Sequence, residues 1–415
     1  MENDAMTIDV IIRRTVLILL TVSSSSFAQL AALENRLTVN GEIRLRSEVD
    51  SKDFNQASDA NKFSLLRTRL GLDFKLADDV TAFVQFQDSR TFGEEVSTLS
   101  AQDNIDLHQG YVTFNNLFGA QGLSVTAGRM EMLFGGQRLV GPVGWDNVGR
   151  SFDGARVIYD PESAKVEFWS ARLAENYQNG EDLDQSIYGI DLEIKASPQF
   201  VPRGYLIAET DGVKNSAGMK LLSRQTIGFH ATGRVGGFGY DFETAVQRGE
   251  QAGEDISAYL LAASAGYTFN SPAKPRLSAG VDFLSGDDDP SAGEIKAFNT
   301  LYATNHKFYG QMDYFLNIPA HTGNRGLVDY MLKAEVNPHP KCLLRCDLHF
   351  FRNAEQDAGG DTDIGTEIDL NLGINTRKGV GNVFGLSVFS PGDVFKKTRG
   401  DRTAWWVYHM VTVKF

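Results

Sequence analysis

The sequence predicts an all-β fold, a transmembrane antiparallel β-barrel of about 18 strands. Three observations predict it. Apolar and polar residues alternate in segments of about ten residues, the unit of a membrane-spanning strand. Tight turns and longer polar loops take turns along the chain. The last segment alternates to its final residue, Phe415.

Length and composition permit this without requiring it. The 415 residues are 42% hydrophobic and 11% aromatic, enough for a large folded structure. Only the N-terminus has the continuous apolar character of a membrane helix, and no later run approaches roughly 20 apolar residues. A slightly negative mean hydropathy fits a barrel, whose lipid contact is spread over alternate positions.

The first 28 residues read as an export signal. Arg13 and Arg14 form a basic region, 15–22 (TVLILLTV) an apolar core, and Ser26-Phe27-Ala28 a small-residue cleavage site. Cleavage after Ala28 leaves 29–415 as the barrel, outside the cytoplasm of a Gram-negative-type bacterium.

Individual segments show the alternation. Tyr188, Ile190, Leu192 and Ile194 share one face, with Asp191 and Glu193 on the other. Phe238, Tyr240, Phe242 and Val246 oppose Asp241 and Glu243; Ile368, Leu370, Leu372 and Ile374 oppose Glu367, Asp369 and Asn371. Helical periods are lacking, so no second layer is available to cover such a sheet. Strands are expected to begin near residues 36, 62, 79, 105, 122, 152, 164, 186, 203, 225, 237, 258, 276, 327, 342, 363, 382 and 402. That even number returns both chain ends to the periplasm. Tight turns at Ala77-Asp78, Pro161-Glu162, Val235-Gly236 and Pro338-His339 alternate with loops 51–61, 176–185 and 353–362. Short periplasmic turns and long outer loops are the asymmetry of outer-membrane barrels. In the last strand Trp405, Val407, His409, Val411, Val413 and Phe415 share a face, a terminal signal of the kind the barrel-assembly machinery reads.

Several chemistries lack their residues. A net charge of −13 argues against nucleic acid. The seven histidines form no HExxH or structural zinc spacing, and no GxSxG, Walker loop or dinucleotide fingerprint occurs. An enzyme is therefore not expected, nor a cofactor. Cys342 and Cys346, on one strand, lie roughly 13 Å apart, too far for a disulfide. Asp287, Asp288, Asp289 and Glu294, and Asp361 with Asp363, form acidic loops able to offer oxygens to calcium, although the EF-hand register is absent.

The arginines are more informative. In 66–76 the apolar face is Leu66, Leu70, Leu72, Phe74 and Leu76, so Arg67 and Arg69 point the other way; the same parity turns Arg44 and Arg46 from Ile43 and Leu45. In a barrel that other way is the lumen, since an arginine facing lipid at mid-depth costs roughly 2–4 kcal/mol. Guanidinium forks match carboxylates, so such a lumen favours anions. The alternative is internal pairing with Asp73, Asp88, Asp106, Glu42 and Glu48. Arg129 falls on the lipid parity with Leu123, Val125 and Ala127, which requires a bulge or a place at the rim.

Across the mature chain the residues resemble the alginate-export family of outer-membrane porins. The matching pieces are Leu66-Arg67-Thr68-Arg69-Leu70-Gly71-Leu72, Gln87-Asp88-Ser89-Arg90-Thr91-Phe92-Gly93 and Asp106-Leu107-His108-Gln109-Gly110-Tyr111-Val112. Then come Gly128-Arg129, Gly136-Gln137-Arg138-Leu139-Val140-Gly141, 145–150 and Phe152-Asp153-Gly154-Ala155-Arg156. Farther on are Phe298-Asn299-Thr300-Leu301-Tyr302, His306-Lys307-Phe308-Tyr309-Gly310, Asp313-Tyr314-Phe315, Gly365-Thr366-Glu367-Ile368-Asp369 and 389–393. The resemblance implies an 18-strand barrel whose arginine-rich constriction passes an anionic uronate polymer. Its constriction residues fall on Arg67, Arg69, Arg90, Arg129, Arg138, Arg150 and Arg156, with Asp88 and Asp153 as internal partners. Met130-Glu131-Met132 stands where the pattern expects a more polar run. The aromatic connection 285–325 is expected to fold into the mouth, since exposed it would present a large apolar patch.

The expected function is passage of an acidic polysaccharide through an arginine-lined, water-filled lumen. The alternative is a general or uptake porin for small anions. Either way the expected state is a monomer surrounded by outer-membrane lipid and lipopolysaccharide.

Overall fold

The computed structural model describes residues 36–415 apart from 56, 100–103, 179, 217, 290 and 292. The signal peptide assigned to 1–28 lies outside the described residues. Eighteen long strands form the wall. In chain order they are β1 (Leu37–Ser51), β2 (Asn61–Lys75), β3 (Val80–Thr91), β4 (Ile105–Asn115), β5 (Leu123–Met130) and β6 (Phe152–Tyr159). Next come β7 (Ala164–Ala174), β8 (Gln185–Ile194), β9 (Val201–Lys214), β10 (Lys220–Val235), β11 (Phe238–Gln251) and β12 (Glu254–Thr268). The last six are β13 (Arg276–Leu284), β14 (Leu327–His339), β15 (Cys342–Arg352), β16 (Asp363–Arg377), β17 (Val380–Pro391) and β18 (Ala404–Lys414). Each pairs antiparallel with its neighbours in the chain, and β1 pairs with β18 from Glu42↔Lys414 to Ser51↔Trp405. Closure leaves no open edge, so every strand's backbone is satisfied within the wall.

Most strands begin within two residues of the expected positions. Those expected at Gln225 and Ala258 start earlier, at Lys220 and Glu254, because only five residues join β9 to β10 and only two, Ala252 and Gly253, join β11 to β12. That turn is also a break in the asymmetry, as is the five-residue connection 215–219. All other connections at its end of the barrel are longer, while the opposite end carries short turns such as 236–237, 340–341 and 378–379 together with Phe415. A barrel of this architecture sits in the outer membrane with the short turns and the C-terminus toward the periplasm.

The two faces follow the alternation. Tyr188, Ile190, Leu192 and Ile194 are exposed on the exterior, and Arg44, Arg46, Arg67, Arg69, Asp191 and Glu243 are buried inside. Arginine in place of Ile190 is expected to cost about 2–4 kcal/mol. The readout is a lowered urea midpoint for unfolding from lipid vesicles; an unchanged midpoint would remove that face from the lipid. His409 sits on the exterior parity, where it stacks on Phe384 at 4.3 Å and meets Asn382 Oδ1 at 3.3 Å. Cys342 and Cys346 are both free.

The lumen is not an empty bore. Connections 131–151 and 285–326 turn inward from the outer rim and pack against the wall. Phe298, Tyr309, Met312, Phe315 and Ile318 from the longer one are buried with wall residues Phe351, Phe389 and Trp406. Burying each such side chain contributes roughly 1.5–3 kcal/mol, which is why so aromatic a connection goes inside. Met130 and Met132 join the same core, and Glu131 between them faces Arg69 and His108. The run that departs from the family pattern is thus the point where the first loop enters the barrel. Among the described residues no group of three or more acidic, histidine or cysteine side chains is arranged to hold a metal ion. Asp288 pairs with Lys296 at 2.7 Å, and Asp361 pairs with Lys397.

Candidate functional site: a loop-built constriction

The inward loops are zipped to each other. Gly141 N–H donates to the Tyr302 carbonyl at 2.9 Å, Tyr302 N–H to Leu139 at 2.8 Å, and Thr304 N–H to Gln137 at 3.0 Å. Arg150 donates to the carbonyl of Tyr302 and lies over the Tyr302 ring. Both loops are then fastened to the wall. The Gln247 amide exchanges two hydrogen bonds with the Asn299 backbone, at 2.8 and 3.0 Å. The Tyr302 hydroxyl donates to Glu209 at 2.9 Å, and the Met312 N–H donates to Glu367 at 2.8 Å. Gly310, two residues before Met312, has φ +79, and a Cβ there would collide with the Glu367 carboxyl group. Only glycine fits that approach.

The wall arginines hold the first loop by its carbonyls. Arg44 donates to Gly144 and Asp146 at 2.8 Å each, and Arg67 to the same two oxygens at 3.1 and 3.0 Å. Arg46 donates to the Trp145 carbonyl at 2.7 Å and lies 4.0 Å from the centre of the indole. Arg69 donates to Val148 at 3.1 Å, and also to Gln87 and Glu131. Glu42 takes Arg67 at 2.7 Å and Glu48 takes Arg46 at 2.6 Å. Burial disfavours the charge on Glu131, yet His108 and Arg69 outweigh it and hold the carboxyl below the usual range.

Arg138 ties the first loop to two wall carboxylates. It emerges from the first loop and binds Asp282 of β13, with Glu243 of β11 at 3.3 Å and the ring of Phe308 4.2 Å away. Burial opposes its charge, but Asp282, the Tyr309 oxygen and Glu243 prevail and push its pKa further up.

These contacts correct the expected arginine-lined bore in two ways. Arg67, Arg69, Arg138 and Arg150 do face inward, but each is consumed by loop carbonyls or wall carboxylates. Arg67 keeps only 4% of its surface exposed and Arg138 only 7%. Arg90, Arg129, Asp88 and Asp153 are not internal at all. Arg90 and Asp88 share the exterior parity of exposed Phe86, and Arg90 binds Asp88 and Glu95 there. Arg129 meets Asp153 at 3.6 Å, one position from the outer end of β5. The bulge lies instead on neighbouring β4, opposite Gln85 and Phe86. Alternation does place Arg129 outside, and the rim tolerates it. Arg156 remains internal below the loops, bound to Glu167 at 2.5 Å.

Beside the loops lies a cavity of about 310 Å³. Trp145, at the tip of the first loop, stacks face to face on His306 of the second, with centroids 4.4 Å apart, and meets Tyr408 edge-on at 5.1 Å. Lys307, Lys333 and Arg345 bring cations to the same cavity, with Asp347 as a counter-charge 3.2 Å from Lys333. The sequence set Tyr408 opposite Trp405, Val407 and His409 but did not single out Lys333 or Arg345. It gave no signal that Trp145 and His306 meet, since they belong to different loops.

Several solved structures share the fold. The chain is similar to OccAB4 of Acinetobacter baumannii at 12% identity and TM-score 0.60, covering 92% of this chain and 99% of that one. It is similar to OccK10 of Pseudomonas aeruginosa at 13% and 0.63, with coverages of 92% and 99%. OpdK of Pseudomonas aeruginosa, solved with vanillate, matches at 11% and 0.58, covering 91% and 98%. No curated protein sequence matches the chain. The model of the alginate export family matches residues 35–407, nearly the whole of the barrel just described. The chain therefore belongs to the alginate export family, as an outer-membrane β-barrel channel.

Proposed function

We propose that this channel passes an alginate-like polyuronate as a single extended strand through the cavity beside Trp145. The observation that carries this reading is the meeting of aromatic rings and cations in one cavity. Trp145, stacked on His306 and covered by the Arg46 guanidinium, brings its ring edge with Tyr408 to the cavity, where sugar rings can pack against them. Lys307, Lys333 and Arg345 offer charge to carboxylates. Lys333 and Arg345 are partly neutralised by Asp347 and Glu335, which keeps each contact weak. Weak, repeated contacts suit transit, because tight binding would stop the chain. In this reading the protein works as a monomer, assembled through its C-terminal strand, with lipopolysaccharide around its rim.

A second reading is uptake of small organic anions. It draws support from the inward loops, which fill much of the outer half of the lumen. Single-channel recording separates the two. An anion-selective current blocked by oligomannuronate, with residence time growing with chain length, is the expected result. Block that is independent of length, and equal for glucuronate, would favour small solutes. Arg345→Glu with Lys307→Glu is expected to lower anion selectivity several-fold.

A further inference from the structure

A second cavity, of about 590 Å³, opens at the periplasmic end of β15 to β18. Lys341, Arg377, Lys378 and Lys414 surround it, and no carboxylate lines it among the described residues. Lys341, Arg377 and Lys378 are exposed and form no ion pair among the described residues. Lys414 lies 3.6 Å from Glu42, a carboxylate already bound by Arg67 at 2.7 Å. The site is therefore a concentration of cations with almost no internal neutralisation.

It also lies directly below the constriction cavity. The cavity beside Trp145 takes Gly373, Val383 and Met410 from β16 to β18, and the lower one takes Asn375, Gly381 and Thr412. These are the adjacent positions on the same face of the same strands, roughly 7 Å further along each. One lane thus runs up a single sector of the wall, from the periplasmic turns to the aromatic stack.

The outer loops carry Glu94 and Glu95, Asp182 and Asp184, and Asp287 to Asp289, several of them paired with Arg90, Arg172 and Lys296, and the connection 392–403 adds Lys396, Lys397, Arg399 and Arg402. Cations without carboxylate partners are thus gathered at the periplasmic mouth of the lane, in a chain of net charge −13. Charged clefts raise the local concentration of counter-charged solutes and their capture rates by factors of about 10 to 1,000.

We infer that the turns 340–341 and 378–379 form a capture site that concentrates polycarboxylate chains at the periplasmic mouth of the channel. The inference rests on the polyuronate reading and adds a place to it. Carboxylates first meet Lys341, Arg377 and Lys378 and then the lane toward the constriction.

The test is oriented single-channel recording with oligomannuronate added to one side at a time. The expected result is a blocking on-rate about tenfold higher from the periplasmic side at low salt, with the difference shrinking at high salt. The variant Lys341→Gln/Arg377→Gln/Lys378→Gln should lower the periplasmic on-rate about tenfold and leave the outer on-rate unchanged. Lys378→Gln alone, in an exposed turn, should give a smaller drop of the same sign and guards against misfolding of the triple variant. Equal on-rates from both sides, or a triple variant that behaves as wild type, would overturn the capture site and leave the polyuronate reading standing. No block from either side would overturn both.

Discussion

Replacing Arg138 with methionine is expected to destabilise the barrel by about 3–5 kcal/mol, because it strands two buried carboxylates without their cation. Asp282 keeps 2% of its surface exposed and Glu243 5%, so neither can recruit water in exchange. The same change cuts a tie between the first loop and the wall, and the zipped second loop should loosen with it. Two measurements follow: a lower urea midpoint in vesicles, and a larger, noisier open-channel conductance. Adding Asp282→Asn and Glu243→Gln should recover most of the midpoint, since no orphan charge then remains. It should not recover the quiet conductance, since the tie is still missing. If Arg138→Met alone left both midpoint and conductance unchanged, the guanidinium would not be the pin described here.

The second large effect is expected from Arg44→Ala with Arg67→Ala. Together these side chains make four hydrogen bonds to the carbonyls of Gly144 and Asp146, flanking Trp145. Hydrogen bonds to charged groups contribute about 1.5–3 kcal/mol each, so the double variant should free the loop tip and move Trp145 off His306. The expected readouts are a several-fold rise in conductance, weaker block by oligomannuronate, and new proteolysis within 131–151. Simple lining arginines would behave otherwise. Their removal would lower anion selectivity while the current amplitude and the loop's protease resistance stayed as before.

How much of this was legible beforehand depends on the kind of residue. The strand pattern was readable because a membrane wall imposes a strict two-residue rule on every segment it contains. Ile190 must face lipid and Asp191 must not, whatever surrounds them. The inward course of 285–326 was also readable, since Phe298, Tyr309, Tyr314 and Phe315 together have no tolerable place in water. The rule even placed Arg129 correctly. The family resemblance drew it, with Arg90, Asp88 and Asp153, into the lumen, where the structure does not put them. Arg90 and Arg129 sit near the outer ends of their strands, where a charge on the exterior face reaches the interface at little cost.

Parity is a local property, fixed by the backbone of one strand, and the chain alone determined it: an 18-strand closed wall, a lipid face, and an arginine set pointing inward. What those arginines meet is not local. Arg67 lies in β2 and its partners Gly144 and Asp146 in a loop some 77 and 79 residues away. Trp145 and His306 come from different loops, and Arg138 reaches Asp282 across 144 residues. Such contacts are decided by where two loops settle inside a closed barrel. That packing depends on the volume left by every inward side chain at once, so only the folded structure could turn expected lumen ligands into anchors and leave the passage to Trp145, Lys307, Lys333 and Arg345.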